Sequence, residues 1–490
     1  MTESVASTPA ADDAMLASLT VSPGAFVPAF WGERRRFAVM LPSSVDAVTV
    51  AAQPKHPDAQ VVIAGQQTQR DADGVRSATV AVCAGGTDIA VEVTAADGCA
   101  SVRYEVKAQR AMPLVNWQRL LEHAPFSPRD SEGELVFDGR MWIFGGYTPA
   151  LVNDVWASAD GRAWQEIGRV PDDAGVNIPV CMAHDGRMWL TSQAGRFYSS
   201  TDGVDWTLVC ERPPWSVRYG AGSAVFKGRM WVVGGLGQGA LHNDVWSSSD
   251  GVDWTRELEH APWSPRQVFS NLIVKDDMLY LVGGGVSQYE PFKSYRDVWC
   301  SPDGRNWRQV CAHAPWPGRV WTSCAVYRDR IWLLGGFRAQ PTWNNFNDLW
   351  YSHDGADWRQ LHTEDIWSER HEISAYVFDD ALWVVAGNAW PLVNDVWRLR
   401  IDGLSFVTQP PLEEFADAAY RYAARADFGQ PGGAVRYALT EAPDWLSIDP
   451  ATGLISGRAG KPGDYPVTLE ARDPAGERAE QSYTLHVIAV

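Results

Sequence analysis

The chain has no apolar run long enough to cross a bilayer, which excludes a membrane-spanning helix. Positive charge is scarce. Forty-two Lys and Arg stand against 60 Asp and Glu, a net charge of −18, so neither nucleic acid nor an anionic membrane is an expected partner. Metal-ligand spacings are missing: there is no Cys-x-x-Cys, His-Glu-x-x-His or zinc-finger pattern, and no metal or cofactor is expected. Cysteine is sparse and odd in number, at seven. Cys83 and Cys99 are a candidate pair by spacing, set against the plainer reading of buried reduced thiols. Residues 1–14 lack the basic and apolar regions of a signal peptide and read as a disordered tail. That absence points to the cytoplasm rather than to a secreted or periplasmic location.

What the chain does have is a repeat. Asn153-Asp154-Val155-Trp156 leads to Asp160-Gly161 and Trp164, and Asn243-Asp244-Val245-Trp246 leads to Asp250-Gly251 and Trp254. Tyr198, Trp299 and Trp350 head the same pattern, and Asn394-Asp395-Val396-Trp397 begins a sixth copy. The copies recur every 42 to 53 residues, so each must bury its apolar face against its neighbours. Upstream in most copies lies an alternating strand ending in a glycine pair, such as Arg140-Met141-Trp142-Ile143-Phe144-Gly145-Gly146. With Asp-Gly as a hairpin turn, each unit reads as four strands: a, b with Gly-Gly, c with Asn-Asp-Val-Trp, and d with the last Trp. Six c strands and six d tryptophans can be counted. The first d residue, Trp117, precedes the first c strand, which predicts a ring of six blades closed by an N-terminal outer strand.

These residues resemble the kelch family of β-propellers over 111–403. Blades two and six depart from its pattern, with Ser192-Gln193 and Ala386-Gly387 in place of Gly-Gly. Residues 15–110, with strands such as Ala90-Val91-Glu92-Val93-Thr94, resemble a bacterial cadherin-like β-sandwich. Residues 404–490 contain Pro443-Asp444-Trp445-Leu446-Ser447-Ile448-Asp449 and Thr452-Gly453-Leu454-Ile455-Ser456-Gly457. They resemble an Ig-like or dystroglycan-type cadherin-like module. The expected fold is all-β: a six-bladed propeller with two flanking sandwiches, through which a protein partner could dock.

The d–a and b–c loops of a propeller open on one face. The d–a loops carry Arg129, Arg218, Arg266, Arg319 and Arg370, each three residues after an aromatic, and only blade two lacks the arginine, with Val176 near that place. Five guanidiniums at the start of innermost strands would ring one channel mouth. The alternative is that each donates to loop carbonyls and stacks on its neighbours. Three tryptophans fall outside the scaffold positions yet on this face: Trp321, Trp343 and Trp390. The longest loops lie here too, with Tyr289 in blade four and Arg338 in blade five. His371, Glu372, His242 and Tyr289 are the candidates for proton transfer, although alternation along a strand would point His371 and Glu372 oppositely.

The expected function is binding of an anionic or aromatic ligand, whether acidic peptide, acidic glycan or metabolite, on the arginine-lined face. The alternative is an enzyme using the same funnel for acid–base chemistry, as an isomerase of mutarotase or epimerase type or as a cyclase or lyase.

Overall fold

Asp-Gly turns and alternating strands fold as their pattern predicts. The computed structural model describes residues 10–26, 29–41, 45, 47–82, 87–110, 115–215, 217–287, 291–430 and 433–489. Among them the only helical element is a 3-10 turn at Phe269–Asn271. Val115–Ile401 forms one compact unit, and the segments before and after it form another.

The central unit is a β-propeller of six four-stranded antiparallel sheets. The first comprises Gly133–Phe137, Arg140–Tyr147, Leu151–Ser158 and Gln165–Arg169. The sixth runs Ser374–Phe378, Ala381–Asn388 and Leu392–Leu399, and Trp117–Leu121 supplies its fourth strand, with Leu399 opposite Trp117. First strands of successive sheets touch one another in a circuit that returns from the sixth to the first.

The repeated residues hold this ring together. In the first turn Asp160 Oδ1 accepts the N–H groups of Arg162 and Ala163, both at 2.8 Å, while Ser158 Oγ accepts that of Gly161 at 2.9 Å. The glycine that follows is left-handed for a second reason, close approach. A Cβ on Gly161 would lie 2.1 Å from Trp383 of the preceding blade, and one on Gly304 would lie 2.0 Å from Trp231. Each turn therefore closes on the strand-b aromatic next door, and only glycine leaves room.

Asn-Asp-Val-Trp has an equally local explanation. Asn394 Nδ2 donates to the carbonyls of Ala124 and Phe126 in the d–a loop, as Asn243 Nδ2 does to those of Ala261 and Trp263. Val155, Val245 and Val396 are fully buried. Trp156 Nε1 donates to Asp154 Oδ2 at 2.7 Å, and Trp246, Trp299, Trp350 and Trp397 repeat the bond. The loop aromatic packs edge-on against the d-strand tryptophan, as Trp316 does on Trp358 at 5.7 Å and 83°.

That aspartate also takes the loop arginine, and here the expected arginine-lined face is corrected. Arg129, Arg218, Arg266, Arg319 and Arg370 are buried, with bidentate forks on Asp154, Asp244, Asp297, Asp348 and Asp395 respectively. Each also donates through Nη1 to a carbonyl of the b-strand end, from Gly145, Gly234, Gly283, Gly335 or Ala386. Nε donates to a d–a loop carbonyl in every case. At least four of the five N–H donors of each arginine are thereby used inside the blade, and none of the five side chains lines the mouth cavity. Burial alone would raise Asp154, Asp244 and Asp348, but the arginine bonds and charge outweigh it and hold them below the ordinary carboxylate range. In blade two, Asp172 instead accepts from Ser192 Oγ at 2.5 Å and faces Arg196 at 3.5 Å.

In the second unit the N-terminal sandwich packs a three-stranded sheet on a five-stranded one, around Phe37, Val50, Val61, Val91 and Tyr104. Ala14 is part of that core and Asp13 accepts the N–H of Met15, so residues 10–14 are ordered and the expected tail shortens. Cys99 is exposed, and Cys83 lies outside the described residues. The C-terminal module packs its sheets around Tyr420, Tyr422, Leu469 and Leu485. It meets the first sandwich through Arg34 with Glu413 and Lys107 with Asp464. No helix among the described residues is long and apolar enough to cross a membrane.

Candidate aromatic and carboxyl cavity

The site is built from positions beside the repeated arginine–aspartate lock, not from the lock itself. The residue after each loop arginine bridges the residue after the glycine pair or its equivalent: Asp130 with Tyr147, Tyr219 with Leu236, Gln267 with Gly285, Val320 with Phe337, and His371 with Asn388. One residue further on, the backbone turns left-handed at Ser131 (φ 61°), Ile178 (φ 44°), Gly220 (φ 63°), Trp321 (φ 54°) and Glu372 (φ 50°). That turn breaks strand alternation, so His371 and Glu372 line the same cavity where a regular strand would part them.

The cavity has a volume of about 690 Å³. One wall is aromatic. Trp321 stacks on His371 at 5.0 Å and 24° and on Phe337 at 5.4 Å and 21°. Trp390 stands edge-on to Phe337 at 5.6 Å, and Trp343 lies 6.3 Å from Trp390 at 30°. The two outer tryptophans keep large open faces, with Trp343 69% and Trp390 50% exposed.

The lining also carries acids and amides. Ser131 Oγ donates to Glu372 Oε2 and lies 3.2 Å from Asp130 Oδ1, so one hydroxyl bridges two carboxyl groups. Asn388 Nδ2 donates to Asp130 Oδ2 at 2.8 Å. Burial, reinforced by the charge of Asp130, pushes Glu372 up to about 8. Burial also raises Asp130 despite its bonds from Asn388 and Ser131. Glu372 is therefore largely protonated at neutral pH and both donates and accepts.

His371 has a defined tautomer. Asn345 Nδ2 donates to the Asn388 carbonyl at 2.9 Å, which turns Asn345 Oδ1 toward His371 Nδ1 at 2.8 Å. Nδ1 must then carry the hydrogen, which leaves Nε2 with the lone pair. Burial lowers the ring to about 3, so it stays neutral. Three buried polar atoms near this mouth, Trp321 Nε1, Gln267 Nε2 and Glu132 Oε2, have no hydrogen-bond partner among the described residues.

Of the residues expected from sequence, Trp321, Trp343, Trp390, His371 and Glu372 come together here. The five loop arginines do not, for the reason above. Arg338 lies 5.6 Å over the Phe346 ring and does not line the cavity. His242 is tied by Nε2 to the Gly237 carbonyl at 3.1 Å across its hairpin and does not line the cavity. Tyr289 lies outside the described residues. Asp130, Ser131, Phe337 and Asn388 were not anticipated. The signal was available, because they stand beside the repeated Arg and Gly-Gly and differ from blade to blade.

Comparison with known proteins places the chain. Residues 114–409 match the DUF6242 beta propeller domain. The chain belongs to that family. Residues 16–111 match the cadherin-like beta sandwich domain and 408–488 an Ig domain model. The Leucine-zipper-like transcriptional regulator 1 homolog of Drosophila melanogaster is 29% identical over 163 residues, which cover 29% of this chain. The mouse and human Leucine-zipper-like transcriptional regulator 1 proteins are 26% identical over 138 residues, 24% of this chain. The alignments span only 16% of these relatives' own length. Among solved structures, that titled "Structure of YjhT" aligns with a TM-score of 0.46 and 12% identity, covering 59% of this chain and 97% of that one. The DUF6242 propeller thus supplies the scaffold, and its function has to be read from the cavity.

Proposed function

We propose that the propeller mouth binds a neutral, polyhydroxylated ligand, a glycan, by stacking a sugar ring on Trp343 and Trp390. The carrying observation is the pairing of open tryptophan faces with a serine-bridged pair of carboxyl groups in one cavity. Apolar ring faces suit the indoles, and hydroxyls suit groups that both donate and accept. An anionic ligand fits poorly, since the cavity presents Asp130 and Glu372 and none of the loop arginines. A compact cation is the other chemistry acids and aromatics favour, but Phe337 and Trp390 are already in edge-to-face contact and leave no hollow between them.

The test is titration calorimetry of neutral mono- and disaccharides, with tetramethylammonium and citrate as charged controls. Binding of neutral sugars that weakens about ten-fold or more in Trp390→Ala supports the reading. Preferential binding of tetramethylammonium or citrate would overturn it.

A second reading is acid–base chemistry on the same ligand. It is favoured by the protonated Glu372 beside Asp130 and the lone pair on His371 Nε2. If a bound sugar is isomerised, Glu372→Gln should keep binding and lose turnover, measured by NMR exchange between anomers or epimers.

A further inference from the structure

Blade two departs furthest from the repeat. It lacks the loop arginine and has Ser192-Gln193 for the glycine pair. Its second strand ends at Thr191 and its third begins at Phe197, whereas in blade three the corresponding strands run on to Gly237 and restart at Ala240. Blade two therefore ends lower than its neighbour. Beside that step lies a second cavity of about 640 Å³, lined by Ala194, Arg212, Pro213, Pro214, Val217 and Gln238 among others.

The two cavities adjoin. Tyr219 and Leu236 line both. Gln193, one of the residues replacing Gly-Gly, donates from Nε2 to the Tyr219 hydroxyl at 2.5 Å and so fixes the ring that separates them. The degenerate blade thus holds in place a side chain that both cavities share. Each cavity alone lies in the range of about 300–1,000 Å³ usual for small-molecule sites.

The chemistry changes along the groove. The first cavity offers stacked indoles and carboxyl groups. The second offers a stiff apolar wall of Pro213, Pro214, Val217 and Leu236, with the exposed Arg212 at its edge. Arg212 makes no ion pair or side-chain hydrogen bond among the described residues, unlike the five arginines locked inside the blades, and no other Lys or Arg lines either cavity among them.

We infer that the two adjoining cavities act as one groove for an extended glycan of two or more sugar units, its first ring on Trp343 and Trp390 and a carboxylate-bearing distal unit at Arg212. This rests on the glycan reading above and adds length and the position of a charge. Neutral recognition at one end and a single cation at the other would give a preference for acidic oligosaccharides without any cation at the stacking site.

The experiment uses the full chain and xylo-oligosaccharides of one to six units, with and without a glucuronic acid substituent. The parent should gain ten-fold or more in affinity from one unit to three, and further with the acid present. Ala194→Trp, at an exposed position lining the second cavity, should erase the length dependence and leave single-unit binding unchanged. Arg212→Glu should remove the acid preference alone, which keeps the test informative if the bulky variant folds poorly. Equal affinity at every length in the parent, or an unaltered length dependence in Ala194→Trp together with an unaltered acid preference in Arg212→Glu, would overturn the inference while single-unit binding still supports the stacking site. Failure of every length, single units included, would overturn both.

Discussion

Replacing Arg266 by alanine separates a scaffold role for the loop arginines from a ligand role. The side chain is wholly buried. It donates to the carbonyls of Ser264 at 3.0 Å and Gly283 at 2.9 Å, to Asp297 Oδ1 at 2.6 Å and Oδ2 at 3.0 Å, and it lies 3.9 Å over the Tyr295 ring. The variant leaves Asp297 charged with its side chain only 13% exposed. Breaking one side of a buried pair costs about 3–5 kcal/mol. Counting each lost bond separately at about 1.5–3 kcal/mol would exceed that, but Asp297 can relax toward solvent, so the smaller figure is the better guide. At roughly 2–3 °C per kcal/mol for a unit of this size, the propeller should melt about 6–15 °C lower. Tryptophan fluorescence follows that unit, which holds most of the indoles. Arg266→Ala with Asp297→Ala should be less destabilised than the sum of the singles, because no unpaired charge remains. A single variant melting within about 2 °C of the parent while losing ligand binding would refute the lock and restore the arginine to the site.

The remaining predictions follow from other contacts. Glu134 is half-buried on an innermost strand, with Ser270 Oγ 2.6 Å from Oε1, and its partial burial raises it to about 8. The folded chain then holds a proton that the unfolded chain releases near the ordinary 4.5, so stability falls as pH rises between about 4.5 and 8. Glu134→Gln keeps the bond and should flatten part of that fall, with melting temperatures close to the parent at pH 5 and higher than it at pH 8; Glu372 contributes a slope of the same sign. Gly304→Ala places a methyl 2.0 Å from the Trp231 ring at a φ of 74°, and should destabilise by about 2–4 kcal/mol in denaturant unfolding. Trp343→Ala removes an exposed ring, so it should leave the melting temperature within about 2 °C while weakening sugar binding about ten-fold.

The scaffold was legible because it repeats. Asn-Asp-Val-Trp, the Asp-Gly turn and the glycine pair each serve one contact used again and again, so spacing alone reveals them. The arginine and the Asn-Asp-Val-Trp aspartate were each legible, but their pairing was not. They stand 25 residues apart as Arg129 and Asp154, and 31 apart as Arg266 and Asp297, and nothing in a linear pattern says that strand c curls its aspartate back to the loop before strand a. Hence an ion-pair lock read as a ring of free cations. The tryptophans outside the repeat were legible for the converse reason. Trp321, Trp343 and Trp390 had no scaffold duty to explain them, and they form the cavity wall.

The backbone explains why the variable positions gather at the mouth. Left-handed turns recur two residues after the loop arginine, and one residue later in blade four, at Phe269 with φ 55°. The turn is what redirects the chain from the loop into the innermost strand, so the architecture requires it whatever residue is present. Glycine would adopt it freely, yet only blade three uses glycine, at Gly220. Elsewhere Ser131, Ile178, Trp321 and Glu372 bear a conformation that costs about 1–2 kcal/mol per residue for side chains with a Cβ. These four line the cavity, whereas Phe269 of blade four is buried and does not. A requirement of packing alone would be met more stably by six glycines. Side chains kept at strained positions, different in each blade and lining one cavity, are what the ligand site proposed for the mouth calls for.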